Sequence, residues 1–149
     1  SKLANFHAFN ISQPGIPIIY YGEEIAMMGE GDPGNRRMMR FNLTENEKKL
    51  KNHFSQLNQL RNKYSSLALG DQIILKNEGS VLVLIKKYFD EMVLVAFNNS
   101  QDPKTVEIEL PIDIAFLTKL IGSGQFMKND RLLKLTINPF SHDFYFAKN

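Results

Sequence analysis

Gly15-Ile16-Pro17-Ile18-Ile19-Tyr20-Tyr21-Gly22-Glu23-Glu24 is the stretch on which the fold turns. The β-branched and aromatic run from Ile16 to Tyr21 lacks polar alternation, so it reads as a strand buried on both faces, a parallel-sheet signature. Upstream, Leu3, Phe6 and Phe9 share a near-helical period between Lys2 and Gln13, and Pro14 and Gly15 stop that helix. Downstream, Gly22 to Asn42 carries Gly29, Gly31, Pro33 and Gly34 among Glu23, Glu24, Glu30, Asp32, Arg36 and Arg37, which reads as a long ordered loop. Thr44 with Glu47 three residues on forms a capping box. From there Leu50, Phe54, Leu57, Leu60, Tyr64 and Leu67 trace one apolar helical stripe, with Gly70 as its end cap. Helix, buried strand, loop, helix is the grammar of one repeat of an α/β sheet or barrel.

Beyond Asp71 the period becomes strand-like, in seven stretches: residues 73–76, 80–88, 91–98, 105–110, 116–121, 132–137 and 143–147. Val106, Ile108 and Leu110 alternate with Glu107 and Glu109, as in a strand with one wet face, and seven short strands at this spacing predict an antiparallel sandwich. The expected division is therefore 1–70 and 71–149. The second part is expected to fold by itself and the first is not, because a single repeat leaves both strand edges unpaired.

Composition narrows the function classes. The chain has 149 residues, 43% hydrophobic and 23% charged, which suits a packed core rather than a disordered segment. A net charge of +2 makes no basic stripe, so nucleic acid is not an expected partner. Without cysteine, neither disulfides, thiolate metal sites nor a cysteine nucleophile are available. No apolar run approaches a membrane span, so no membrane partner is expected. Starting at Ser1 in a helix-like pattern suggests a piece of something longer, and the compartment, periplasmic or secreted versus cytoplasmic, stays open.

The opening stretch resembles the eighth barrel strand of the alpha-amylase family, glycoside hydrolase family 13, which reads Gly-x-Pro-x-x-Tyr-Tyr-Gly-x-Glu. Asp32-Pro33-Gly34-Asn35-Arg36-Arg37 resembles the Asp-Pro-x-Asn-Arg loop that the family places after that strand. Both motifs occur in order and at family spacing. The resemblance implies a fold of class α/β plus all-β: residues 1–70 as the C-terminal part of a (β/α)8 TIM barrel, and 71–149 as the closing antiparallel β-sandwich. It also implies a parent glycosidase, alpha-amylase or neopullulanase-like, that degrades starch, alpha-glucans or maltooligosaccharides by a retaining mechanism. No cofactor is expected in this chain, calcium is possible in the parent, and the fragment is a candidate for self-association.

Retaining hydrolysis needs two carboxyl groups about 5 to 5.5 Å apart across the scissile bond. Glu23 and Glu24, consecutive on or after a strand, are a poor pair. The family takes its nucleophile, acid and stabilising Asp from earlier strands, the last in an Asn-His-Asp motif that none of His7, His53 and His142 matches. Ser141, His142 and Asp143 are neighbours and do not converge as a triad does. No catalytic residue and no metal ligand set is therefore expected here, and the chain alone is expected to be inactive.

What remains is substrate contact, since barrel loops after strands form the active-site face. By resemblance, Asp32 and Arg36 hold a sugar on the non-reducing side of the cleavage point; the other reading is that they pair and pin the loop. Tyr20 and Tyr21 could stack on or hydrogen-bond a glucose ring, although alternation turns one to the interior and the other to the helices. Glu23 or Glu24 could orient cleft residues or fix the loop, while Met27, Met28, Met38 and Met39 read as packing under it. Two other functions compete: a sugar-binding module using Phe126, Phe140, Phe144 and Tyr145 in the absence of Trp, and an inactive amylase-like scaffold.

Overall fold

The structure, a computed structural model, describes residues 1–148. Helix α1 (Lys2–Ser12) begins under Ser1, whose Oγ accepts the Ala4 amide at 3.3 Å. Helix α2 (Glu45–Lys63) begins at the expected capping box: the Thr44 amide donates to Glu47 Oε2 at 2.7 Å, and the Glu47 amide returns to Thr44 Oγ1 at 3.4 Å. Arg40 grips the same carboxylate, and with the Thr44 bonds it lowers the Glu47 pKa to about 2.

The single helix expected from Thr44 to Gly70 is in fact two. Tyr64 leaves helical geometry at φ −109°, ψ 106°, its ring 5.3 Å from that of Phe146, and α3 (Ser65–Leu69) follows with the Ser66 amide held by Glu91 Oε1 at 2.6 Å. Gly70 is extended rather than left-handed. Its glycine is required by close approach, since a Cβ there would lie 2.4 Å from the Ser66 carbonyl oxygen and 2.9 Å from that of Lys87.

Eight strands follow among the described residues: β1 (Asp71–Glu78), β2 (Val81–Tyr88), β3 (Glu91–Asn98), β4 (Lys104–Glu109), β5 (Phe116–Ile121), β6 (Gln125–Asn129), β7 (Leu132–Ile137) and β8 (Ser141–Lys148). They form two antiparallel sheets, β1-β2-β3-β8-β5 and β4-β7-β6. The strand the sequence pattern missed is β6, a five-residue edge strand on which Phe126 packs against the sandwich core.

Val83, Ile85, Leu94, Ala96, Leu133, Leu135 and Tyr145 meet between the sheets. A second cluster lies on the other side of the five-stranded sheet, where Leu84, Val93, Val95, Phe97 and Phe144 receive Ala8, Ile11, Leu57 and Leu67 from the helices. The architecture is thus helices over sheet over sheet, and Gly70 marks a change of secondary structure within a shared core. Double-sided burial belongs to β3, where every residue from Met92 to Asn98 is buried.

Residues 16–20 depart from the expected buried strand. They lie in no sheet and alternate in burial, with Ile16 91% and Ile18 84% exposed while Pro17 and Ile19 are half-buried. An extended chain turns alternate residues to opposite sides, and here only one side has something to pack on. No strand lies alongside among the described residues. The backbone is tied instead by side chains and a turn: Asn10 Nδ2 donates to the Ile18 carbonyl at 3.3 Å, Arg61 to that of Gly15, and the Glu23 amide to that of Tyr20 at 3.1 Å. Among the described residues, no helix is long and apolar enough to cross a membrane.

Candidate substrate-rim loop

After Tyr21 the chain turns through Gly22, at φ 90°, into a 3₁₀ turn (Glu23–Ile25) whose Ile25 is fully buried. Gly22 takes the left-handed geometry that favours glycine, and its amide donates to Glu24 Oε2 at 2.8 Å. Glu24 therefore fixes the loop entry. Glu23 is half-buried in the same turn. A second 3₁₀ turn (Gly34–Arg36) carries the Asp-Pro-x-Asn-Arg residues, and the Asp32–Pro33 peptide is cis.

Asp32 and Arg36 lie together at the loop tip. Arg36 Nη2 is 2.5 Å from Asp32 Oδ1, and both side chains are 65% exposed. An ion pair this open to water stabilises the loop little, but it presents a carboxylate and a guanidinium side by side to anything that arrives. Behind them, the Tyr20 hydroxyl donates to the Asn35 carbonyl at 3.4 Å and the Tyr21 hydroxyl to the Arg37 carbonyl at 3.0 Å. The two tyrosines thus hold the backbone on either side of Arg36.

Their placement corrects the expectation of opposite faces: the rings lie together, centroids 4.7 Å apart, because the chain bends into its turn at Tyr21. Arg37 lies 4.0 Å from Glu30. Of the methionines expected beneath the loop, Met27 packs against Gly22 and Met39 is half-buried, whereas Met28 and Met38 are exposed.

Arg61 was not singled out by the sequence pattern. Nearly buried on α2, its Nη1 donates to the carbonyls of Ile11 at 2.5 Å, Gln13 at 2.9 Å and Leu67 at 2.8 Å, and its Nη2 to Gly15. One guanidinium thereby joins the end of α1, α3 and the segment leading to the loop. The signal lay in the stripe itself: Arg61 follows Leu57 by four and precedes Tyr64 by three, a buried position carrying a charge.

Ser141, His142 and Asp143 do not form a triad. The His142 ring contacts the rings of Phe97 and Phe144 and bonds to helix residues, whereas Asp143 Oδ1 accepts the Gly124 amide at 2.7 Å. Among the described residues no three His, Asp or Glu side chains come together to hold a metal ion. Of the aromatics considered for a glycan platform, Phe144 and Tyr145 are buried in the two cores.

Comparison with known proteins identifies relatives of the chain as a whole. Residues 72–145 match the family model for the maltogenic amylase C-terminal domain. The chain is 33% identical over 148 residues to a cyclomaltodextrinase of Geobacillus thermopakistaniensis, covering 97% of this chain and 25% of the relative. It is 30% identical to neopullulanase 2 of Thermoactinomyces vulgaris, covering 89% and 23%. The chain thus spans about a quarter of the length of these curated relatives.

Among solved structures, an Anoxybacillus alpha-amylase superposes with a TM-score of 0.89 at 28% identity, covering 98% of this chain and 32% of that one. The alpha-amylase of Geobacillus thermoleovorans complexed with acarbose gives 0.89 at 27% identity, covering 99% and 33%. These superpositions take in nearly the whole chain, helices, rim loop and sandwich together, so the chain belongs to the alpha-amylase family, as a C-terminal portion ending in the maltogenic-amylase type of β-sandwich.

Proposed function

We propose that this chain supplies the substrate-rim loop and closing sandwich of an alpha-glucan-acting glycoside hydrolase of retaining mechanism, whose catalytic carboxylates lie in the preceding barrel strands. The observation that carries the reading is the paired Asp32 and Arg36, presented to solvent on a loop that Tyr20 and Tyr21 hold from behind. In that parent, Asp32 accepts from sugar hydroxyls while Arg36 donates to hydroxyl or ring oxygens, away from the scissile bond. Tyr20, Tyr21 and Glu23 position that loop. The unpaired backbone at residues 16–20 is where neighbouring barrel strands would dock, and in the isolated chain the same exposed face favours self-association. Relatives named as cyclomaltodextrinase and neopullulanase, and a related amylase complexed with acarbose, support glucans as the substrate class.

The test is kcat/KM against glucan length for Asp32→Ala and Arg36→Ala in the intact parent, together with thermal unfolding. Sugar contact predicts a loss of about tenfold confined to long substrates, the scale of one charge-assisted hydrogen bond discounted for exposure. Equal losses for short and long substrates, with a lowered melting temperature, would show that the pair only pins the loop. The 149-residue chain alone is expected to release no reducing sugar from starch, and turnover by it would refute the upstream placement of the catalytic groups.

A further inference from the structure

Three polar side chains and one main-chain carbonyl form a continuous relay through the contact between the helices and the five-stranded sheet. His53 of α2 and His142 of β8 meet Nε2 to Nε2 at 2.9 Å, His142 Nδ1 lies 3.1 Å from Asn5 Oδ1 on α1, and Asn5 Nδ2 donates to the Asn98 carbonyl of β3 at 3.1 Å. Asn5, His142 and Asn98 are buried. The directions of the hydrogen bonds follow from the far end. Because the Asn5 amide nitrogen is spent on the Asn98 carbonyl, its oxygen faces His142, so His142 Nδ1 carries the proton. His142 Nε2 is then a lone pair, and the 2.9 Å contact is a hydrogen bond donated by His53 Nε2. Each contact in the relay pairs a donor with an acceptor only while His142 is neutral; a proton on His53 goes to its Nδ1 and leaves the Nε2–H donated to His142 in place.

We propose that the His53–His142–Asn5–Asn98 relay is an acid-released latch: neutral, it fastens α1 and α2 to the sandwich, and a proton on His142 sets two N–H groups head to head and parts them. Asn98 is the fixed end, because its own side chain donates to the carbonyls of Asp102, Ile137 and Asn138 at 2.7, 3.2 and 3.2 Å. His53 is the end nearest solvent, being half-buried.

The groups facing the pair do not rescue a charge on it. From the start of the chain come the Ser1 amine, which lowers both histidines, and His7 of α1, which lowers His53. Glu23 and Glu24 act on His7 rather than on the pair, and Lys2 lies over the Phe140 ring. Beside His142 stand the rings of Phe97 and Phe144, and Asp143 is turned toward Gly124. Burial first, then His53, lowers the His142 pKa to about 3, and burial lowers His53 as well.

The unfolded chain, with histidines near 6.5, therefore takes up protons before the folded one does. The latch contributes in full above about pH 6.5, and its contribution is lost as pH falls toward the folded value. For His142 alone, the folding equilibrium constant falls about 25-fold between pH 7 and pH 5.

The test uses the whole 149-residue chain with isotope-labelled histidine. His142 is expected to stay in the Nδ1–H neutral form down to pH 5, and His142→Gln or His53→Gln to show a flatter loss of urea stability between pH 7 and 5. Amide exchange at pH 5, corrected for intrinsic rates, should quicken in α1 before β2 and β3. A His142 imidazole that titrates near 6.5 in the folded chain, carries its proton on Nε2, or leaves the pH slope unchanged when replaced would overturn the latch. If the glutamine variants do not fold, the titration and tautomer of the unmodified chain decide alone.

Discussion

Replacing Arg61 tests whether one buried guanidinium joins the helices to the rim segment. The charge is 8% exposed, and among the described residues it has no carboxylate partner; it is compensated by four carbonyl oxygens, those of Ile11, Gln13, Gly15 and Leu67. Burial lowers its pKa, but a guanidinium remains charged at any working pH. Hydrogen bonds to a charged group contribute about 1.5–3 kcal/mol each, though burying the charge and rehydrating freed carbonyls offset much of the sum. Arg61→Ala is therefore expected to cost about 3–5 kcal/mol, since each of the four carbonyls left without its donor costs about 1–3 kcal/mol and rehydration returns part of that sum.

Arg61→Lys keeps the charge but gathers its donors on one nitrogen, which cannot reach across two helices and Gly15, so about 2 kcal/mol is expected. Urea unfolding of the 149-residue chain reads both. With a slope of about 2 kcal/mol per molar, the alanine variant should shift its midpoint by about 2 M, and proteolysis should begin at residues 13–18. A loss below about 1 kcal/mol, or a lysine variant indistinguishable from the parent, would refute the reasoning, because the carbonyls would then be served equally well by water.

Two further outcomes are expected. A chain cut to residues 71–149, which the sequence pattern alone leads one to expect to fold by itself, should instead bind hydrophobic dyes or aggregate, because Leu84, Val93, Val95, Phe97 and Phe144 lose the helices that cover them; a monomeric fragment that unfolds cooperatively would contradict this. Asp143→Asn should stabilise the fold at neutral pH: burial raises the Asp143 pKa and its Oδ2 is unpartnered, so the carboxylate's destabilisation grows as pH rises above the unfolded value near 4, and stability against pH should be flatter in the variant over that range.

The sequence made the periodic parts legible. The capping box at Thr44 and Glu47, the apolar stripe of α2, the hairpin turns and seven of the eight strands follow from spacing alone, because each is a local pattern with one physical solution. The break at Tyr64 was not legible, since it depends on Phe146 and Glu91, distant in sequence. Strand β6 was missed because its polar, edge-strand composition carries almost no burial signal. At the rim loop, the motif residues could be named but not their geometry. The pairing of Asp32 with Arg36 was one of the two readings the motif allowed, but that the tyrosines hold Asn35 and Arg37 rather than opposing each other depends on the bend at Gly22.

The reading of Ile16–Tyr21 as buried on both faces shows where pattern and structure separate. An apolar run records how much surface must be covered, not which chain covers it. In β3 the run from Met92 to Phe97 is covered within this chain, by a second sheet on one side and helices on the other. At residues 16–20 the same kind of run is covered on one side only, and Ile16 and Ile18 remain open. Yet the segment is held in place, because Asn10, Arg61 and the turn at Glu23 bind the carbonyls of Ile18, Gly15 and Tyr20 from outside any sheet. The loop is consequently anchored to α1 and α2 without a neighbouring strand. Arg61 and the histidine relay both act on α1, at Ile11 and at Asn5 respectively, so loosening either one transmits through that helix to the segment that carries the loop.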